Sequence, residues 1–214
     1  MQTCFLVGAG DLTARDFAPK PGDFVIAADG GYASLAAIGA APDLLVGDFD
    51  SLATRPSNVP VLTFPVEKDD TDMGLAISEG WARGYREFAL YGADGGRIDH
   101  LLANLQLLGG LSARGAGARL IGGVFDVYAV THGTLILPPR EPGTLVSVFC
   151  HGALATGVTL TGLKYPLTNA TLTADRPLGV SNEYREHNAS VTVGQGTLLV
   201  FVALKLKKEA PAEG

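Results

Sequence analysis

Residues 24–51 read FVIAADGGYASLAAIGAAPDLLVGDFDS, and this stretch decides the fold class. Phe24 to Ala28 is a short apolar run, the mark of a strand buried on both faces, and Asp29-Gly30-Gly31 closes it with turn residues. Tyr32 to Ile38 reads as a short helix. A second apolar run, Asp43 to Val46, ends at Gly47-Asp48-Phe49-Asp50-Ser51. Strand, helix and strand in this order build a parallel sheet wrapped by helices.

The same alternation extends in both directions. Phe5-Leu6-Val7 is a strand before this stretch and Glu87 to Tyr91 one after it. Between them Met73, Ala76, Ile77, Gly80 and Trp81 recur at helical spacing, with Thr71 and Asp72 where an N-cap belongs. Ile98 to Leu111 reads as another helix, and Arg119 to Ile121 and Val124 to Val130 as strands around a Gly122-Gly123 turn. Beyond about residue 130 helical periodicity stops. The runs Thr134 to Leu137, Leu145 to Phe149, Val158 to Leu160, Ala189 to Val193 and Leu198 to Leu204 are β-type and are separated by Gly, Pro and Asn turns. That spacing predicts an antiparallel β-sandwich. The expected organisation is an α/β domain over 1–130, a β-sandwich domain over 131–208 and a solvated tail over 209–214.

Composition narrows the function. The chain has 214 residues, 16 Lys+Arg against 22 Asp+Glu, and a formal net charge of −6. A general basic surface for nucleic acid is excluded by that balance. At 47% hydrophobic and 18% charged residues the chain can bury a core. No run approaches the roughly 18 apolar residues of a membrane span, and Met1-Gln2-Thr3-Cys4 lacks the basic region of a signal peptide, so no membrane partner and a cytoplasmic location are expected. Cys4 and Cys150 show no paired spacing, which argues against a disulfide framework or zinc site. The acidity is concentrated: residues 1–110 hold 15 acids and 7 bases, a net of −8, and residues 111–214 hold 7 acids and 9 bases, a net of +2.

The excess falls where ligands bind. In a parallel α/β sheet the carboxyl ends of the strands form the ligand crevice. Those positions read Asp29-Gly30-Gly31, Gly47-Asp48-Phe49-Asp50-Ser51, Lys68-Asp69-Asp70-Thr71-Asp72 and Gly92-Ala93-Asp94-Gly95-Gly96-Arg97-Ile98-Asp99-His100. In extended chain Asp48 and Asp50 share a face with Cα atoms about 7 Å apart. Such paired carboxylates suit a hard divalent ion, and Mg²⁺ takes one or two of them and fills its shell with water and substrate phosphates. Lys68 and Arg97 supply the opposite charge for phosphate oxygens. Gly95-Gly96, ahead of a helix start, would let backbone N–H groups approach phosphates. Any one of these Asp residues is explained equally well as a turn or cap residue; four groups together are not. A dinucleotide fingerprint is unsupported because Gly8-Ala9-Gly10 lacks its third glycine, and neither a P-loop nor a Gly-x-Ser-x-Gly elbow occurs.

These four blocks, followed by Gly162-Leu163-Lys164-Tyr165-Pro166-Leu167 and Ser181-Asn182-Glu183, closely resemble the thiamine pyrophosphokinase family of bacterial type. The resemblance spans roughly residues 24 to 200. It implies an N-terminal α/β domain with a C-terminal β-sandwich, and a homodimer that holds thiamine between the α/β domain of one subunit and the sandwich of the other. The implied reaction moves the pyrophosphoryl group of ATP to the thiamine hydroxyl and releases AMP. Carried over residue by residue, metal and phosphate positions fall on Asp48, Asp50 and Asp72, and the basic phosphate positions on Lys68 and Arg97. Asp29 and Asp99 complete the acidic signature, and Asp69 and Thr71 stand on the nucleotide side. Ser181, Asn182 and Tyr165 stand on the thiamine side. Asp99 and Asp72 are both open as acceptors of the hydroxyl proton. A pterin pyrophosphokinase, a metal-dependent phosphohydrolase and a non-catalytic nucleotide or thiamine sensor are the alternatives. The role of Gly8-Ala9-Gly10 is open.

Overall fold

The structure is a computed structural model and describes residues 1–47, 59–63 and 70–206. It divides into two compact units, Met1–Gly123 and Val124–Gly214. The expected limit at residue 130 falls inside a strand, β7 below.

The first unit alternates strands and helices: β1 Thr3–Val7, β2 Phe24–Ala28, α1 Gly31–Ala37, β3 Leu44–Gly47, β4 Val61–Thr63, α2 Asp72–Ala82, β5 Glu87–Tyr91, α3 Ile98–Ala113 and β6 Gly117–Ile121. Its strands lie in the order β6-β5-β1-β2-β3-β4, and every pair is parallel. Both faces are buried, which explains the unbroken apolar runs. On one face Phe5, Val7, Val25, Ala27, Ala89 and Tyr91 pack with Leu35 of α1. Phe17 closes this cluster, its ring 5.5 Å from Phe5 and 5.3 Å from Tyr91, edge to face in both cases. Met73, Ala76, Ile77 and Gly80 of α2 are buried as their spacing predicts. Trp81, the fifth member of that stripe, is only half-buried. Its ring instead lies under two guanidinium groups, those of Arg86 at 3.9 Å and Arg114 at 3.7 Å.

The chain runs outward from β1 through β2 and β3 to β4, then returns to place β5 on the other side of β1. The gap between the carboxyl ends of β1 and β5 is therefore the topological switch point, where open parallel sheets bind ligands.

The second unit is antiparallel: β7 Phe125–Ile136, β8 Thr144–Thr161, β9 Leu167–Thr173, β10 Gly179–Glu183 and β11 Ser190–Leu206. The order is β10-β8-β11-β7, with β9 pairing the second half of β8. Register shifts interrupt β11 between Val193 and Thr197 against β7, and between Gln195 and Thr197 against β8. Bulges bend strands, and here one core collects residues from both sides of the bend. Val146, Val148, Val200 and Val202 come from one side and Val158, Leu160, Val191 and Val193 from the other. Two leaves of long bent strands thus face each other, the expected sandwich.

Candidate active site

The switch point opens into a cleft of about 420 Å³. One wall is backbone. Beyond the last residues of β1 and β5 the two chains stay paired, Gly8 N donating to Tyr91 O at 2.8 Å and Gly10 N to Gly92 O at 2.9 Å. Gly92 has φ +54°, and a Cβ there would lie 2.5 Å from Gly8 O. A side chain at Gly10 would collide with the carbonyls of Gly92 and Asp94. Gly8-Ala9-Gly10 therefore has a structural assignment: two glycines let the loops after β1 and β5 lie backbone to backbone and form the cleft wall. The sequence signal was present as Gly-x-Gly directly after a strand. The missing third glycine bears only on dinucleotide binding, not on this backbone packing.

The cleft is also lined by carboxylates. Asp29 ends β2 in the left-handed region, φ +47°, with its N–H held by Val46 O at 2.8 Å. Asp72 begins α2, and a Cβ built at Gly47 would lie 3.3 Å from Asp29 Cα and 3.5 Å from Asp72 Oδ1. The ends of β2 and β3 and the start of α2 thus meet at Gly47, the residue preceding Asp48. Thr71 caps α2, its hydroxyl accepting from Gly74 N at 3.0 Å, as the spacing predicts. Asp70 Oδ1 accepts from Thr71 N at 2.8 Å, and both residues line the cleft.

The loop after β5 supplies the third side. Asp94 Oδ2 accepts from Gly123 N at 2.8 Å, while Oδ1 is buried with no hydrogen-bond partner among the described residues. Gly95 and Gly96 both have positive φ and lead into Arg97, the N-cap of α3. Arg97 grips Asp99 with two bonds, Nη2 to Oδ2 at 2.6 Å and Nε to Oδ1 at 3.1 Å. The hydrogen bond from Arg97 is the main reason the Asp99 carboxyl is held down to about 2, and the same contact raises the guanidinium further. Both side chains are exposed. Asn104, nearly two turns into α3, donates to Ala93 O at 2.8 Å and lines the cleft with His100.

Asp48, Asp50, Lys68 and Asp69 lie outside the described residues. Among the described residues no three His, Cys, Asp or Glu side chains come together as a metal site. Asp72 beside Gly47 nevertheless places one hard oxygen donor next to the residue that leads into Asp48, and the donor type is that preferred by Mg²⁺.

In the second unit Tyr165, Ser181 and Asn182 come together at β10. Tyr165 is 59% exposed and Ser181 is exposed, whereas Asn182 is 3% exposed. The Asn182 amide is engaged with backbone: Oδ1 accepts from Tyr165 N at 3.0 Å and Glu183 N at 2.9 Å, and Nδ2 donates to Tyr165 O at 2.7 Å. Lys164 pairs with Glu183 at 3.2 Å, a bond that raises the lysine pKa. Cys4 is buried and Cys150 half-buried, and both are free thiols. No helix among the described residues is long and apolar enough to cross a membrane.

Comparison with known proteins places this geometry. Residues 20–117 match the thiamin pyrophosphokinase catalytic domain, and residues 134–198 match the thiamin pyrophosphokinase vitamin B1 binding domain. A thiamine pyrophosphokinase of Bacillus subtilis (strain 168) is 29% identical over 182 residues, covering 82% of this chain and 85% of the relative. The crystal structure of the Bacillus subtilis enzyme superposes with a TM-score of 0.85 at 26% identity, covering 96% of this chain and 100% of that one. The thiamin pyrophosphokinase of Geobacillus thermodenitrificans gives a TM-score of 0.79 at 27% identity over 95% of this chain and 98% of its own. With one domain of the family matched in each of its two units, the chain belongs to the thiamine pyrophosphokinase family.

Proposed function

We propose that the chain transfers the β,γ-pyrophosphoryl group of ATP to the hydroxyethyl oxygen of thiamine. The observation that carries this reading is one switch-point cleft lined by Asp29 and Asp72, which meet at Gly47, together with the glycine-built wall and Arg97. A triphosphate needs both halves: N–H groups and a guanidinium for its oxygens, and carboxylates for its metal.

The hydroxyl oxygen of thiamine attacks the β-phosphorus in line, forming the new P–O bond. The bond from that phosphorus to the bridging oxygen breaks, and AMP leaves with the oxygen and its electron pair. The hydroxyl proton passes to a carboxylate or to water. Mg²⁺, which Asp48, Asp50 and Asp72 would hold, neutralises charge on the phosphate oxygens when bound. Arg97 and Lys68 orient the transferred group, and Asp99 sets the direction of the Arg97 fork. Asp29, Asp69 and Thr71 stand on the nucleotide side, and Ser181, Asn182 and Tyr165 on the thiamine side. Asp99, its carboxyl held down to about 2 by the hydrogen bond from Arg97, is a weak base. A loose transition state needs positioning and charge stabilisation more than a strong base, so this weakness is affordable. The reading includes a cytoplasmic homodimer with a composite thiamine site.

The test is product identity. Protein incubated with Mg-ATP and thiamine is expected to yield AMP and thiamine diphosphate in equal amounts. ADP in place of AMP would indicate single-phosphoryl transfer, and phosphate released without thiamine would indicate a phosphohydrolase. Either result defeats the proposal. Sedimentation of the active protein checks the dimer.

A further inference from the structure

The start of β10 is out of step with β8. Gly179 pairs Val148 and Asn182 pairs Val146, so Val180 and Ser181 together stand opposite one residue, Ser147. This is a β-bulge, in which the extra residue loses its ladder partner and the strand bends. Ser181 takes the strained position, φ +57°, unusual for a residue with a side chain. Its orphaned N–H donates to the Ser147 hydroxyl at 3.1 Å, a side-chain oxygen in place of the missing carbonyl. The next residue, Asn182, is buried and ties the bulge to the backbone of Tyr165 through both ends of its amide. At Gly179 a Cβ would collide with Val148 O, which keeps the entry to the bulge tight.

Bulges re-aim side chains, and here the exposed Ser181 stands next in sequence to Asn182, whose amide holds the backbone of the exposed Tyr165. We propose that Ser147 is a positioning residue for thiamine, acting through the Ser181 amide to hold the bulge that presents Ser181 and, through Asn182, Tyr165. This rests on the thiamine side of the proposed function. Ser147 need not touch substrate. Its neighbours Val146 and Val148 point into the core, whereas Ser147 is half-buried on the other face of β8, so its hydroxyl can be removed without opening the core.

The experiment compares Ser147→Thr with Ser147→Val, an isosteric pair that a strand accepts and that differs in the hydroxyl alone. Expected is a wild-type KM for thiamine in Ser147→Thr, and a rise of roughly threefold to tenfold in Ser147→Val, the range of one net hydrogen bond. KM for ATP and kcat at saturating thiamine stay within about twofold in both. Thiamine titration calorimetry should show the same ratio of Kd between the pair. Equal thiamine affinity in the two variants overturns the proposal, as does a parallel rise in both KM values, the mark of a general structural defect. Wild-type protein that neither binds thiamine nor releases AMP would instead defeat the proposed function, and this positioning role with it.

Discussion

Gly92→Ala and Gly96→Ala form a pair that measures how tightly the cleft wall is built. Both glycines have left-handed backbone, φ +54° and +63°. An L residue in that region costs about 1–2 kcal/mol, and alanine recovers roughly half to all of 1 kcal/mol by restricting the unfolded chain. At Gly96 nothing lies within 4 Å of the added Cβ, so this net of about 1 kcal/mol is the whole cost. At Gly92 the Cβ also meets Gly8 O at 2.5 Å and Gly10 O at 3.1 Å. Neither carbonyl can swing aside freely, because Gly8 N and Gly10 N are bonded to Tyr91 O and Gly92 O. The loops must part by the better part of an ångström, an overpacking cost of about 1–3 kcal/mol. Gly92→Ala is therefore expected to lose about 2 kcal/mol more than Gly96→Ala, a further fall in Tm of roughly 4–8 °C for a chain of this size. Urea and thermal unfolding of both variants measure the difference. Equal losses would refute the close backbone approach, and a milder effect at Gly92 would reverse the reasoning outright.

Ser181→Gly should relieve left-handed strain and raise stability by about 0.5–1 kcal/mol, while loss of the hydroxyl raises KM for thiamine. A variant that is stabilised with unchanged thiamine KM would remove the hydroxyl from the site. Tyr184 is buried, its hydroxyl donates to Pro138 O at 2.8 Å, and burial pushes its pKa up to about 12. A folded pKa above the unfolded value of 10 stabilises the protein fully below pH 10, and that contribution drains away as pH rises toward 12. Denaturant midpoints of Tyr184→Phe across pH 9 to 12 should fall less steeply than those of wild type; identical slopes would contradict the assignment.

What could be read from the sequence was whatever local chemistry specifies. Thr71 reads as an N-cap because a hydroxyl at that place satisfies a free helix N–H, and the structure has that bond. The apolar runs of the parallel strands read clearly because both faces are buried. Trp81 misled by periodicity, since an aromatic ring on a helix edge is as well served by Arg86 and Arg114 as by a core. The long antiparallel strands were seen in fragments: β8 is continuous over Thr144–Thr161, yet Gly152 and Gly157 interrupt its pattern with positive φ. β9, LTNATLT, gives the core only Leu172 with Leu167 packed beside it, too few apolar residues to mark a strand, and β10, GVSNE, is too polar and short to announce itself. No local signal could show the switch point either. It depends on β5 settling beside β1, a pairing between segments more than eighty residues apart in sequence, and the function of Gly8-Ala9-Gly10 follows from that neighbour alone.

The charge on the cleft makes sense only with both halves in place. Asp29, Asp70, Asp72 and Asp94 line it, and the guanidinium of Arg97 is already shared with Asp99. Taken alone, this surface repels a triphosphate. On the proposed function it would become complementary with a divalent ion held by the carboxylates near Gly47 and with the partial charge of the backbone N–H groups of the glycine loops. The same excess of carboxylate favours a cationic co-substrate such as thiamine, so one distribution of charge serves both reactants. On the proposed function, the net of −8 in residues 1–110 would be the counterpart of the metal and of the thiazolium, and its concentration at the strand ends follows from where a parallel sheet must bind its ligands.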